Sequence, residues 1–222
     1  MGFDLMKNFN APYLSRSISE FWKRWHISLS TWFRDYVYLP LGGNRVARAR
    51  FYRNLLITFI ISGLWHGASW TYIVWGALNG LYLVVGHYSS SWRARVRTAL
   101  GLGTDGFASY AIKVATTFGL TCFAWIFFRA SNLHDAWEII THLTTGWKNG
   151  LQPVQAFSTF DVAAAVIGIV VLQGVEIAQE LGKWARPVQW PVYVRWPAYY
   201  VLIAAVALFG VFAGTQFIYF QF

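Results

Sequence analysis

Two of the five histidines in this 222-residue chain stand beside tryptophan: His66 in "SGLWHGASW", Ser62 to Trp70, and His26 in "RWHISLS". Imidazole is the side chain that titrates nearest neutrality, so it can take a proton from a reacting hydroxyl and later return it. A buried imidazole is costly unless its polar edges find partners. At membrane depth it is a functional-site candidate by default. Composition alone leaves a satisfied core histidine and a reactive base both open, at His66 and at His26. A neutral histidine in a dry pocket suits one reaction in particular, proton removal from a hydroxyl as it attacks an acyl carbon. Excluded water could not then hydrolyse the acyl group instead. The chain holds no HExxH, CxxC, P-loop or GxSxG pattern, so no metal site and no nucleophilic serine or cysteine is expected. Acyl transfer to a hydroxyl, with histidine as base, is the simplest chemistry left. His87, His134 and His142 fall at span ends or in a long loop, where a solvated imidazole is the default.

The surroundings of these residues are those of a membrane protein. Hydrophobic residues make up 56% of the chain and aromatic ones 19%, while only 12% are charged. A soluble domain carries about 25% charged residues. The expected fold class is all-α, a polytopic transmembrane helical protein forming a single membrane domain over residues 1–222. The net charge of +9 comes from basic clusters between apolar runs, as expected of cytoplasmic loops rather than of a nucleic-acid surface. Cys122 stands alone, so no intrachain disulfide forms. Residues 1–20 lack the basic-then-apolar layout of a cleavable signal peptide.

Along the chain, residues 17–38 read as one amphipathic helix in the membrane interface. Ile18, Phe21, Trp22, Trp25, Leu29, Trp32, Phe33 and Tyr36 share one face, and His26 lies at its edge. Ser17 with Glu20 has the form of a capping box, and Pro40 with Gly42-Gly43-Asn44 stops the helix. A basic loop of Arg45, Arg48, Arg50 and Arg53 leads to the apolar run 54–87. From Leu55 to His66 a helix rises roughly 18 Å. The hydrocarbon core is about 30 Å thick, so His66 is expected inside it. A second basic cluster, Arg93, Arg95 and Arg97, follows the run. Basic ends on both sides favour two short helices meeting near His66 over one long tilted helix. Three further spans are expected near 107–128, 160–181 and 197–218. Loop 129–159 and the C-terminus are then placed outside, and loop 182–196 inside.

"SRSISEFWKRWHISLSTWFRDYVYLPLGGNR", residues 15–45, resembles the signature of the bacterial membrane-bound O-acyltransferases, in particular their alginate O-acetyltransferase branch. "SGLWHGASWTYIVWGALNG", residues 62–80, resembles the segment that carries the catalytic histidine of that family, and Gly214 to Phe222 resembles the branch's C-terminus. The resemblance implies that His66 and His26 are the catalytic pair. It implies an acyl group passed from a cytoplasmic donor, acetyl-CoA with no bound cofactor, across the inner membrane toward an exported polysaccharide such as alginate. A periplasmic acetyl-transfer protein, the polysaccharide and the bilayer are the partners it implies, with no nucleic acid. Family members are longer and place several transmembrane helices ahead of the first motif, so the chain is expected to be the C-terminal portion of such a fold. Two alternatives accompany this reading: D-alanyl transfer to a cell-envelope polymer, and an inactive truncated remnant acting as scaffold.

Overall fold

A computed structural model describes residues 5–99, 106–145, 159–180, 182 and 189–210. Among them every regular element is helical, and the chain divides into two compact units, Met1–Lys148 and Asn149–Phe222.

The first unit opens with a lead-in segment and a single 3-10 turn, Pro12–Leu14, followed by α1, Ile18–Arg24. The Ser17 hydroxyl accepts the Glu20 backbone N–H at 3.2 Å, as the capping box requires. The Glu20 carboxylate reaches back one residue further than expected, accepting the Arg16 N–H at 2.9 Å. The expected continuous helix over 17–38 is not formed. Trp25 is extended, His26 takes a left-handed backbone, and a new helix α2 runs from Ile27 to Phe33. A turn of π-helix, Arg34–Tyr38, ends it, and Gly42 and Gly43 turn the chain at positive φ. The break has a tertiary cause. The Asn8 carbonyl accepts the Ile27 N–H at 3.0 Å, and the Asn8 side-chain oxygen accepts both N–H and O–H of Ser28. The lead-in segment therefore competes successfully for the groups a continuous helix would have used.

Helices α3, Arg48–His66, and α4, Trp70–Tyr88, form the expected pair around His66. Gly67, at φ 155 and ψ 155, occupies a backbone region that is essentially reserved for glycine and breaks the run there. The two helices pack antiparallel with backbone against backbone. A Cβ on Gly63 would overlap the Tyr72 carbonyl, and one on Gly76 would overlap the Phe59 carbonyl. Such small-residue contacts drive helix association where no hydrophobic force acts between helices. Both open ends of the pair carry the basic residues, Arg48, Arg50 and Arg53 on the first turns of α3, and Arg93 and Arg95 on α5, Ser90–Ala99. At the base, buried Asn54 donates to the carbonyls of Leu41 and Gly43, at 3.0 and 3.2 Å, tying the glycine turn to α3.

Helix α6, Phe107–Arg129, is long and apolar enough to cross a bilayer, as expected for 107–128. Its buried stripe of Thr117, Thr121 and Ala124 allows a close approach to α4. The expected loop after it instead contains α7, Leu133–Thr145, started by the Asn132 side chain accepting the Asp135 N–H at 2.9 Å. In the second unit, α8, Thr159–Glu180, matches the expected span. Helix α9 runs Val192–Phe209, five residues earlier than expected, because Pro197 sits inside the helix rather than at its start. The loop basic residues Lys183 and Arg186, and the segment Gly214 to Phe222, lie outside the described residues.

Substituting Gly76→Ala should destabilise the chain by about 1–3 kcal/mol through overpacking. Gly119→Ala on α6, where nothing lies within 4 Å, should be neutral or stabilising by up to about 1 kcal/mol. Thermal unfolding in detergent followed by circular dichroism checks both; identical melting of the two variants would contradict the packed-backbone reading of α3 and α4.

Candidate active site

His66 is the last residue of α3, and the turn at Gly67 leaves its half-buried ring at the tip of the helix pair. Four aromatic rings surround it. Trp65 lies at 4.9 Å between ring centroids, Phe128 of α6 at 5.0 Å, Trp75 of α4 at 5.2 Å and Tyr72 at 6.3 Å. Trp75 and Phe128 also touch each other edge to face at 5.1 Å. Three helices thus contribute rings to the surroundings of His66.

The residues behind those rings form a continuous aromatic layer. Trp125 meets Trp75 at 6.2 Å and Phe128 at 5.0 Å, and on its other side meets Trp25 at 5.3 Å. Trp22 packs on both Trp75 and Phe59, at 5.8 and 5.2 Å. Edge-on and offset pairs of this kind contribute about 0.5–1.5 kcal/mol each beyond their buried area. Trp25 and Trp22 belong to α1 and its end, so the layer carries the α1–α2 break up to the helix pair.

His26 sits at that break, with φ 42 and ψ 59. Left-handed backbone is uncommon for residues with a Cβ, though asparagine, aspartate and histidine tolerate it best. As the N-cap of α2, His26 accepts the Leu29 N–H through its Nδ1, at 3.4 Å. A neutral imidazole that accepts at Nδ1 carries its proton at Nε2. The capping bond therefore places the proton of the neutral ring on Nε2. Phe9 covers the ring edge to face at 5.9 Å. His26 and His66, 40 residues apart in the chain, lie in the same compact unit.

The structure places His66 at the α3–α4 break and His26 at the α1–α2 break, with the ring contacts of Trp25, Trp125 and Trp75 running between the two breaks. His134 and His142 lie on exposed faces of α7, His134 beside Glu138 at 3.4 Å, and His87 packs against Phe51 at 5.2 Å. Sequence reasoning did not find Asn8, Trp125 or Phe128. The Trp125–Phe128 spacing puts both rings on one helix face, which was a usable signal for a shared aromatic wall. Nothing local distinguishes Asn8, whose partners are 19 and 20 residues away. Among the described residues, no cluster of three or more histidine, cysteine or acidic side chains is placed to hold a metal ion.

The sequence model of the membrane-bound O-acyltransferase family matches residues 3–133, a stretch containing both histidines. A probable alginate O-acetylase from Pseudomonas putida is 51% identical over 136 residues, which cover 61% of this chain and 26% of that protein. The peptidoglycan O-acetyltransferase of Helicobacter pylori is 43% identical over 136 residues, covering 60% of this chain and 24% of that protein. The teichoic acid D-alanyltransferase of Bacillus subtilis is 30% identical over 143 residues, covering 60% and 35%. The matched part of the chain spans about a quarter of the length of the first two relatives.

The backbone at residue 26 makes a stability prediction separable from chemistry. His26→Asn, which tolerates left-handed backbone and caps helices well, should melt like the wild type. His26→Ala, which loses the cap and keeps the strained conformation, should lose about 1–2 kcal/mol. Denaturation of both variants in detergent tests this; an alanine variant as stable as asparagine would show that the cap contributes nothing.

Proposed function

The chain belongs to the membrane-bound O-acyltransferase family, and we propose that it forms the histidine-bearing part of an O-acetyltransferase acting on an exported polysaccharide such as alginate. The observation that carries this reading is His66 at the break between α3 and α4, ringed by four aromatic side chains, in a stretch matched by the family that also holds His26. Alginate and peptidoglycan O-acetylating relatives at 51% and 43% identity, against 30% for the D-alanyltransferase, favour acetyl as the group moved.

In the proposed reaction, neutral His66 takes the proton of an acceptor hydroxyl as that oxygen attacks the carbonyl carbon of a thioester, acetyl-CoA. His26, with Nε2–H set by its capping bond, donates to the carbonyl oxygen as negative charge builds on it. A carbon–oxygen bond forms, the carbon–sulfur bond breaks, and the departing thiolate takes the proton back from His66. The aromatic box keeps water from competing with the hydroxyl. The cytoplasmic donor, delivery across the inner membrane in a multi-pass arrangement, and a periplasmic protein that receives the acetyl group complete the proposal.

Complementation of a strain lacking its own polysaccharide acetylation, with acetyl esters counted on the exported polymer, tests it. His66→Ala should lower ester content by roughly 10²–10⁴-fold, the usual contribution of a general base. His26→Asn, stable by the argument above, should lose roughly 10²–10³-fold as a lost oxyanion donor. Because His66 must be neutral to accept the proton, transfer should fall as pH drops through the pKa of that imidazole. Full ester content in the His66→Ala strain would defeat the enzyme reading. In membranes, labelled acetyl-CoA should be consumed and a D-alanyl-charged carrier protein should not; the reverse result would transfer the proposal to D-alanylation.

A further inference from the structure

Between Tyr36 and Thr104 the chain carries seven arginines and neither aspartate nor glutamate, so this stretch has no acid of its own to balance them. Arg45, Arg48, Arg50, Arg53, Arg93 and Arg95 are all exposed, and none is in an ion pair with a described residue. Arg48, Arg50 and Arg53 lie on the first turns of α3, and Arg93 and Arg95 on α5, beyond the end of α4. The ring contact of Phe51 with His87 holds those two ends together.

Helix α5 adds a second chemistry to this end. Ser89, at φ -82 and ψ -3, separates it from α4. At the junction the carbonyls of Val85, Gly86 and His87 accept the Ser89 hydroxyl, the Arg93 guanidinium and the Ser90 hydroxyl, at 2.6, 2.7 and 2.7 Å. The Arg93 acceptor is a neutral carbonyl, so the bond leaves the arginine's charge in place. At about 100° per residue, Trp92, Val96 and Ala99 fall on one face of α5, Arg93 and Arg95 flank it, and Ser90, Ala94 and Thr98 lie opposite. Trp92 is 65% exposed and Val96 37%, so the rest of the unit leaves the apolar face uncovered. Helix α6, able to cross a bilayer, begins eight residues after α5 ends, which tethers α5 near the surface where that span enters.

An acidic protein would answer the arginines and leave Trp92 and Val96 in water. Neutral lipid would cover the apolar face and offer nothing to an arginine-only surface. The headgroup region of an anionic leaflet does both. A helix whose apolar face is bordered by arginine lies in that region, its rings at the acyl boundary and its guanidinium groups at phosphate level. Guanidinium groups suit phosphate oxygens by geometry as well as by charge. We propose that α5 lies in the plane of the membrane on an anionic phospholipid surface, with Trp92 and Val96 at the acyl boundary and Arg93 and Arg95 among the phosphates. The proposal does not rest on the acyl-transfer reading, since none of these residues belongs to the rings around His66.

The test uses the full chain in lipid nanodiscs of phosphatidylcholine, alone or mixed with phosphatidylglycerol. Cys122→Ala frees the chain for one spin label, placed at Val96→Cys on the apolar face or at Ala94→Cys opposite it. In the mixed discs the label at 96 should collide with lipid-dissolved oxygen, and the label at 94 with a water-soluble nickel chelate. Each of Arg93→Gln and Arg95→Gln should lower the ratio of immersed to water-exposed label at 96 about fivefold, as expected of one arginine at an anionic surface. Arg95→Lys, which keeps the charge, should preserve the ratio, and thermal unfolding should be the same for all variants. Equal nickel access at 94 and 96 overturns the proposal, as does the same immersion with and without phosphatidylglycerol. A label at 96 shielded from both reagents also overturns it, because protein rather than lipid would then cover the face.

Discussion

Backbone contact between α3 and α4 is the constraint on which the rest of the first unit depends. Within a bilayer, apolar side chains gain little by leaving lipid for one another, so helices associate through close fit. Gly63 against Tyr72 and Gly76 against Phe59 provide that fit, with no room for a Cβ at either glycine. The contact fixes how the two helices are aligned, and the alignment puts His66 opposite Trp75. It also decides where the chain can turn, since Gly67 must lie beyond the last contact. A side chain at position 63 or 76 would separate the helices and open the aromatic box from behind.

The aromatic layer translates that alignment to His26. Trp75, Trp125 and Trp25 form a relay of ring contacts from α4 through α6 to the end of α1. Asn8 holds the other side of the break, so His26 is determined by two structures that are both remote in sequence. A left-handed histidine that caps a helix with one ring nitrogen is an expensive way to build a turn. Such strain persists when surrounding structure over-determines it, and it concentrates at functional sites.

What could be read from the sequence was what is local. The Ser17 cap, the α6 and α8 spans, and the break at His66 follow from residues within a few positions of one another, through capping chemistry, length and glycine placement. Residues 17–38 read as one continuous helix because their apolar periodicity survives the break: Phe21 is buried before it and Phe33 after it. The interruption comes from the hydrogen bonds that Asn8 accepts from Ile27 and Ser28. The stretch of α7 reads as loop in the sequence because its length and mixed polarity do not make a span, although Leu133, Ala136, Trp137 and Ile140 recur at helical spacing. The start of α9 was misplaced for a related reason. Proline suits the first turn of a helix, yet inside a membrane its missing N–H can be tolerated further along.

The placement of charge on the α3–α4 pair bears on how the pair meets a bilayer. Its arginines stand at the two open ends, whereas the tip from Leu64 to Trp70 carries no arginine, lysine or acidic residue. A hairpin of this kind, meeting a bilayer tip first, would have nothing ionic at its leading edge and basic residues at its base. His66 would then be the one titratable side chain at that edge.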